Sequence, residues 1–364
     1  MSTSLEERGD TRSLVQLCGG YFGSYVLTGI LVKYFTAIRE PRLTDMAYLV
    51  NNTLGGSLFA LSVVVAAGWI RMRSNRMRRF GPFTLPSEVV YIIPSGICTA
   101  VIIPTTTLMY SLPMSVMVAM VIMRGSVIVI SRAVDAIQIR QGILVKQVYR
   151  EENWAVVFAL LAVATNVLLL PIATFVGLDV DAPDGAFDFL ESPFALVVMG
   201  LYIVAYAIRI YVMNYFKNTR GKGVPLDNKG FFAIEQVAAT ASMIVIVAVV
   251  MASGSTDIRI VELRRAVVDL EPIAVASGVP YGAVAFFSVF IFMFKGRTAT
   301  FAGLVNRLTS LVGGVAATLL LAALFGLRWP SVQDWVSVLF IAIAVAFLAR
   351  AERRRSAEQA AVTR

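Results

Sequence analysis

Long apolar runs separated by short polar segments occupy most of the chain. Ten windows are rich in apolar residues: 14–37, 46–70, 86–110, 113–139, 154–176, 194–216, 229–252, 272–294, 299–326 and 332–350. A helix needs roughly 20 apolar residues to cross the hydrocarbon core of a bilayer. The pattern therefore predicts an all-α integral membrane protein with ten transmembrane helices, in a single membrane domain that covers residues 1–364.

The composition narrows the chemistry that such a protein can perform. Hydrophobic residues make up 58 % of the chain and charged residues 15 %, whereas soluble domains contain about 45–50 % apolar and about 25 % charged residues. The absence of histidine excludes histidine-based acid–base catalysis and any ordinary zinc site. The two cysteines, Cys18 and Cys98, lie in apolar runs and offer no disulfide framework. We expect no cofactor, no metal and no enzymatic activity.

Lysine and arginine in the loops predict the orientation, because cytoplasmic loops carry an excess of these residues. With a cytoplasmic N-terminus, the inside segments contain 21 basic residues and the outside segments six. The longest outside loop, 177–193, carries five acidic residues and no basic one. Both termini are therefore predicted to be cytoplasmic. Residues 1–13 are polar, so the first window is expected to be a retained helix rather than a signal peptide.

The net charge of +9 belongs to the loops, so it favours a membrane surface over a nucleic-acid partner. The densest basic cluster contains Arg71, Arg73, Arg76, Arg78 and Arg79. It is interpreted as a topology determinant that lies against anionic lipid headgroups, at about 1 kcal/mol per charge. A phosphoinositide or nucleic-acid patch is the alternative. Arginine outnumbers lysine 26 to 6, which suggests a GC-rich genome and a bacterial inner membrane.

Weak internal symmetry indicates two halves. A shift of 181 positions aligns residues 19–35 with 200–216 and gives five identities, one Gly, three Tyr and one Phe. At similar shifts Pro94 matches Pro280 and Arg124 matches Arg307. Transporters often contain such repeats. We therefore predict five-helix repeats over 14–176 and 194–350, inserted with opposite orientation because five is odd, followed by a basic cytoplasmic tail at 351–364.

Two arginines lie deep within predicted helices. At 1.5 Å per residue, Arg124 lies roughly 16 Å from the outer side and Arg307 roughly 12 Å from the inner side. A charge at such depth costs at least about 2.5–3.5 kcal/mol, so it usually faces a polar cavity. Ser126, Asn306 and Thr309 are small polar neighbours that can hydrogen-bond a ligand or the arginines. Alternatively, each arginine ties helices together by binding a carboxylate or backbone carbonyls.

Few acidic residues accompany these arginines. Glu88 and Glu235 are the candidates within windows, and both are expected near a cytoplasmic end. A positive midplane favours an anionic ligand, and the planar arginine fork suits phosphate or carboxylate.

Aromatic residues repeat the same pattern in the first and sixth windows. Tyr21 and Tyr25 lie one helical turn apart, as do Tyr202 and Tyr206, and Arg209 follows the second pair. Tyrosines that line a cavity can stack on a base or sugar ring. The same residues can equally serve helix packing. Nearer the cytoplasmic side, Arg132 and Asp135 are three residues apart and predict a local ion pair.

Two stretches carry a family resemblance. The run from Leu112 to Ser131, with Met-Arg-Gly-Ser at its centre, resembles the fourth helix of the drug/metabolite transporter superfamily. It is most similar to the nucleotide-sugar and triose-phosphate transporter-like branch. Residues 306–309, Asn-Arg-Leu-Thr, resemble the ninth helix of the same proteins. The resemblance implies a 5 + 5 inverted-repeat fold, a central cavity and alternating access. The Phe-Tyr-Asn-Asn and Gly-Ala-Leu-Asn-Lys signatures of GDP-mannose carriers are absent.

The leading hypothesis is a secondary transporter that moves a small anionic, phosphorylated metabolite such as a nucleotide sugar or sugar phosphate. An exporter of amino acids or mixed metabolites is the alternative within transport. A membrane-embedded transferase and a lipid scramblase or assembly subunit are alternatives from other classes. The expected partners are the anionic metabolite and membrane lipid, and the expected state is a monomer or homodimer.

Overall fold

The described part of the protein is a bundle of α-helices with a small β-hairpin. The computed structural model describes residues 11–80, 83–111, 116–144, 148–175, 192–221, 223–327, 329–330 and 332–363. The helices are α1 (Thr11–Lys33, extended by a wider turn at Tyr34–Ile38), α2 (Asp45–Ala66), α3 (Val89–Ser111), α4 (Val116–Arg140), α5 (Arg150–Phe175), α6 (Pro193–Asn218), α7 (Asn228–Ala252), α8 (Ile258–Val268), α9 (Pro272–Ala276), α10 (Val279–Phe292), α11 (Ala299–Phe325) and α12 (Val332–Thr363). Two antiparallel strands, β1 (Met77–Phe80) and β2 (Phe83–Pro86), form the hairpin.

Helices long and apolar enough to cross a membrane coincide with eight of the ten predicted windows. Within the described residues they are Thr11–Ile38, Asp45–Ala66, Val89–Thr106, Pro193–Asn218, Asn228–Ala252, Pro272–Phe292, Ala299–Phe325 and Asp334–Arg355. The chain is therefore a multi-pass helical membrane protein with eight candidate spans. Helices α4 and α5 occupy the fourth and fifth windows, but the described residues do not qualify them as spans by length and composition. Ten spans remain a prediction.

Three segments differ from the expected loops and tail. The basic segment after α2 contains the β1–β2 hairpin, in which Arg78 lies opposite Leu85 and Arg79 opposite Thr84. The segment before α9, which was expected to be a loop, contains the short helix α8. Helix α12 continues through the predicted tail, because Glu352 and Arg355 in that part are buried among ionic partners rather than solvated.

Local sequence signals explain where several helices begin and end. The side chains of Thr44, Ser192, Asp227 and Thr298 each accept a hydrogen bond from a backbone N–H of the first helical turn that follows. Such caps satisfy N–H groups that have no partner within the helix. Gly326 ends α11 with a left-handed φ of 66°, a conformation that glycine adopts without steric cost.

The long helices pack in pairs that correspond between the two predicted halves. Helix α3 packs on α6 and α7, and α10 packs in the same way on α1 and α2. Likewise, α1 packs on α11 while α4 packs on α6, and α5 and α12 pack on each other. With the first window matched to the sixth and so on, each of these neighbours has its counterpart in the other half.

Glycines allow two corresponding helix pairs to approach closely. A Cβ atom at Gly96 of α3 would lie 2.7 Å from the backbone oxygen of Glu235 in α7. A Cβ atom at Gly282 of α10 would lie 2.9 Å from the Phe59 ring and 3.1 Å from the Gly56 Cα in α2. Small residues at helix interfaces are typical of membrane bundles, because they let backbones touch. The two glycines lie 186 positions apart, the same shift that relates Pro94 to Pro280.

A buried ionic network closes one end of the bundle. Arg355 of α12 donates to Glu152 of α5 and to Glu352, and Arg297, which precedes α11, also pairs with Glu352. The Thr11 hydroxyl at the start of α1 donates to the same Glu352 carboxylate over 2.9 Å. Four of the packed helices are therefore joined at the end that carries the C-terminal part of α12.

Candidate binding site among the central helices

Tyrosine pairs from α1 and α6 line the centre of the bundle. The rings of Tyr21 and Tyr25 lie 5.9 Å apart between centroids, and those of Tyr202 and Tyr206 lie 4.8 Å apart. Both pairs have tilted geometry, which suits the quadrupoles of neighbouring rings. Tyr21 and Tyr202 are almost fully buried. The helical periodicity in the sequence predicted these neighbours within each helix.

Arg124 of α4 reaches the first tyrosine pair. Its Nη2 atom donates to the Tyr25 hydroxyl oxygen over 3.4 Å. The same guanidinium lies beside the small Gly314 of α11, where an added Cβ would be 3.7 Å from Nη2. Within the described part of the chain Arg124 has no carboxylate partner. Its charge is thus compensated by a neutral hydroxyl alone.

Arg307 of α11 reaches the second tyrosine pair. Its guanidinium carbon lies 5.1 Å from the centroid of the Tyr206 ring, which is cation–π geometry. The hydroxyls of Tyr206, Tyr202 and Tyr21 are close enough to interact with it electrostatically. The Nε atom of Arg307 is buried and has no hydrogen-bond partner among the described residues. A buried guanidinium N–H without an acceptor is costly, and a bound acceptor would remove that cost.

The two arginine–tyrosine contacts correspond across the predicted repeat. Arg124 matches Arg307 at a shift of 183 positions, and Tyr25 matches Tyr206 at a shift of 181. In each predicted half, the arginine therefore contacts the tyrosine of the same half, and the two contacts involve equivalent positions of the alignment. The sequence pattern contained the four residues but not their pairing.

Asn306 links α1, α10 and α11. The Tyr21 hydroxyl donates to Asn306 Oδ1 over 3.4 Å, and Asn306 Nδ2 donates to Ser288 Oγ over 3.0 Å. Asn306 is 1 % exposed, so it belongs to the wall of the site beside Arg307. Ser288 could not be predicted from the sequence, since a single serine within an apolar helix gives no pattern that distinguishes it.

The other two small polar residues do not reach the arginines. The Ser126 hydroxyl donates to the Met123 carbonyl of its own helix over 3.3 Å. The Thr309 side chain hydrogen-bonds the Cys18 thiol of α1. Serine and threonine commonly satisfy their hydroxyls locally in this way within helices. Their role in ligand binding stays a prediction.

Arg209 is engaged by a carboxylate. Its Nε and Nη2 atoms donate to Glu235 of α7 over 2.9 and 3.2 Å, and both side chains are buried. Ser95 donates to the same carboxylate over 2.7 Å and Thr99 over 3.4 Å. A bidentate pair with further hydrogen bonds is the arrangement that makes a buried ion pair tolerable. Glu235, the eighth residue of α7, thus lies beside Arg209 and neutralises that arginine.

The predicted Arg132–Asp135 pair is wrong. Arg132 donates to Asn153 Oδ1 over 3.0 Å, whereas Asp135 accepts the backbone N–H groups of Ala299 and Thr300 over 2.8 and 2.6 Å. These N–H groups belong to the first turn of α11, where a negative charge is favoured by the helix dipole. Asp135 therefore binds the start of α11 rather than the arginine three residues away on its own helix.

Among the described residues, no group of three or more Cys, Asp and Glu side chains could hold a metal ion. All five acids of the predicted loop 177–193 lie outside the described residues. The site is thus a partly buried cluster of tyrosine, amide and hydroxyl groups around two arginines that have no carboxylate partner among the described residues. No protein-family model matches the sequence, and no curated protein shows significant similarity to it.

Proposed function

We propose that this membrane protein is a secondary transporter for a small anionic metabolite, which binds between Arg124 and Arg307. The observation that carries the proposal is a pair of deep arginines with no carboxylate partner among the described residues. In a low-dielectric interior an uncompensated positive charge attracts an anion far more strongly than it does in water. Phosphate and carboxylate groups fit the guanidinium fork in a bidentate manner.

The surrounding tyrosines support a substrate that has a ring as well as a charge. The Tyr21–Tyr25 and Tyr202–Tyr206 pairs flank the arginines with aromatic faces and hydroxyls. A sugar or base ring can stack on such faces while hydroxyls donate to its oxygens. Nucleotide sugars and sugar phosphates combine these features, in agreement with the resemblance of residues 112–131 and 306–309.

The corresponding helix neighbours in the two halves support alternating access by a 5 + 5 inverted repeat. In such transporters the substrate binds at the interface of the repeats, which rock about it. The network around Glu152, Glu352 and Arg355 would serve as the gate of the end that it closes. Under the predicted orientation this end is cytoplasmic, in a bacterial inner membrane.

The test is thermal stabilisation of the purified protein against nucleotide sugars, nucleotides, sugar phosphates and amino acids. A ligand at 100 times its Kd adds about 2.7 kcal/mol to the stability. We expect a phosphorylated compound to stabilise the wild type and to stabilise neither Arg124→Ala nor Arg307→Ala. Lys33→Ala is the matched control, because Lys33 is an exposed cation on α1; this variant should respond as the wild type does.

Transport is then measured with the compounds that stabilise the protein. Proteoliposomes loaded with the stabilising compound should exchange it for the labelled external compound, and both arginine variants should lose this exchange. Stabilisation by amino acids alone would overturn the phosphorylated substrate and favour an amino-acid exporter. Equal responses of the arginine variants and the wild type would show that the arginines are structural.

A further inference from the structure

A second basic site lies away from the central helices, at the hairpin. A cavity of about 330 Å³ opens between the hairpin and the adjacent ends of α3 and α6. Its lining includes Arg76, Arg78, Glu88, Tyr91 and Tyr215. Arg78 lies in β1 and Arg76 two residues earlier, a spacing that directs both side chains to one face of a strand.

The two arginines of this cavity are available for a ligand. Neither the Arg76 nor the Arg78 guanidinium has a hydrogen-bond or carboxylate partner among the described residues. The Glu88 carboxylate in the lining is already occupied, because Arg220 Nη1 donates to it over 2.6 Å and the Asn75 backbone N–H over 2.7 Å. The cavity therefore presents two uncompensated positive charges.

The frame of the cavity is fixed rather than adaptable. Asn75 donates from Nδ2 to the Thr219 carbonyl over 3.1 Å and accepts from the Gly221 N–H over 3.0 Å. The Ser87 N–H donates to the Arg76 carbonyl over 2.8 Å, and the rings of Tyr91 and Tyr215 meet edge to face at 5.3 Å. A preorganised frame reduces the entropy that a ligand must overcome.

An exposed apolar stripe leads away from the cavity. Val90 lines the cavity and is 56 % exposed, and Ile93 and Ile97 continue the same face of α3 at 41 % and 47 % exposure. Residues at these spacings lie on one helix face. In a candidate membrane span such a face contacts acyl chains. The positively charged cavity thus borders directly on an exposed apolar surface, the combination that a lipid with an anionic headgroup requires.

We infer that this cavity binds the phosphate headgroup of an anionic phospholipid, with Arg76 and Arg78 on the phosphate and the acyl chains along Val90, Ile93 and Ile97. Such a site differs from diffuse attraction of a basic loop to a charged surface, because it is saturable and depends on two particular arginines. Basic pockets beside membrane helices are known to select anionic headgroups. The inference is independent of the proposed transport function.

The experiment measures lipid binding to the purified full chain by native mass spectrometry. The probes are dioctanoyl phosphatidic acid, dioctanoyl phosphatidylcholine and glycerol phosphate, which carries the phosphate without chains. We expect one phosphatidic acid per chain, bound at least about tenfold more tightly than phosphatidylcholine, since one charge-assisted pair contributes about 1.5–3 kcal/mol. The Arg76→Gln/Arg78→Gln variant should lose about tenfold or more in this affinity.

The matched control is Arg71→Gln/Arg140→Gln, which removes the same charge from exposed arginines outside the cavity lining. It should keep the wild-type affinity. Val90→Glu, which adds a carboxylate at the mouth, should weaken binding with both arginines intact. The inference would be overturned if the control variant lost as much affinity for phosphatidic acid as the Arg76→Gln/Arg78→Gln variant. It would also be overturned if the wild type bound phosphatidylcholine or glycerol phosphate as tightly as phosphatidic acid.

Discussion

Arg124, Arg209 and Arg307 have different sets of neighbours, and on that difference we propose different roles for them. Arg209 forms a bidentate ion pair with Glu235, and the Ser95 and Thr99 hydroxyls also donate hydrogen bonds to this carboxylate. Arg124 and Arg307 contact tyrosines only, within the described chain. Residues of one type at similar depth are therefore not equivalent. Arg209 is neutralised by Glu235, whereas Arg124 and Arg307 have no carboxylate partner among the described residues.

Removal of one member of the Arg209–Glu235 pair should be strongly destabilising. Glu235→Ala leaves a buried guanidinium without its counter-charge, for which we expect a loss of about 3–5 kcal/mol. The double variant Arg209→Ala/Glu235→Ala removes both charges and should be more stable than Glu235→Ala alone. Unfolding in sodium dodecyl sulfate, followed by circular dichroism, measures both free energies. Additive losses in the double variant would argue against direct coupling.

The positions of the helices along the chain could be predicted from the sequence, whereas the contacts between segments could not. Apart from the C-terminal end of α12, which runs past its window to Thr363, the apolar windows predicted the long helices to within a few residues. Length and hydrophobicity suffice to define a membrane segment. The β1–β2 hairpin was missed, since β1 has two arginines at its centre and strands of four residues are too short to give a distinctive alternating pattern. Its stability comes from Glu88, Asn75 and Arg220, which hydrogen-bond across segments distant in sequence.

The close contact between α2 and the α9–α10 segment should not tolerate a side chain. An alanine at Gly278 would place its Cβ 2.6 Å from the Gly56 backbone nitrogen. Because backbone cannot move aside as a flexible side chain can, we expect Gly278→Ala to cost about 1–3 kcal/mol or more. Gly200→Ala in α6 is the matched control, with nothing described within 4 Å. It should leave the unfolding midpoint unchanged or raise it, since alanine favours helix.

The anchor of the hairpin should weaken in acid. Burial opposes ionisation of Glu88, but hydrogen bonds from the Asn75 N–H and the Ser74 and Ser87 hydroxyls outweigh it and lower the pKa of Glu88 below its ordinary value. A lowered folded-state pKa stabilises the fold above the ordinary pKa near 4.5, and the contribution is lost as pH falls through the folded-state value.

Hydrogen exchange of the hairpin amides, corrected for intrinsic rates, measures this effect. Protection relative to the central helices should fall as the pH drops below about 4.5, where unfolded glutamates begin to protonate. Glu88→Gln should show reduced protection at neutral pH and no further change in acid. A pH profile of Glu88→Gln identical to that of the wild type would mean that another group controls the hairpin.

At the scale of the whole molecule, the contacts define two ends of the bundle. Thr11, Glu152 and Glu352 meet at one end, and Arg39 pairs with Glu271 at the other. From the excess of basic residues in the segments on that side, we predict that the first end faces the cytoplasm. The start of α1 and the C-terminal part of α12 should therefore lie on the same, cytoplasmic side.

Labelling of single cysteines tests this orientation. In a variant with Cys18 and Cys98 replaced by alanine, Gly254→Cys and Ala357→Cys introduce exposed thiols at opposite ends. A membrane-impermeant maleimide should label the cysteine at 254 in intact cells. It should label the cysteine at 357 only after permeabilisation. The reverse pattern would place the closed ionic network on the outside.

The sequence alone determined the class of this protein, because a bilayer imposes its length and polarity on any segment that crosses it. It also singled out Arg124, Arg307 and both tyrosine pairs, since a charge in a membrane span is costly and periodic tyrosines share a face. Only the tertiary structure decided the partners. Three contacts between helices show this: Glu235 binds Arg209, Asp135 binds the first turn of α11, and Ser288 binds Asn306. Their geometry depends on how the helices pack, which no local pattern along the chain encodes.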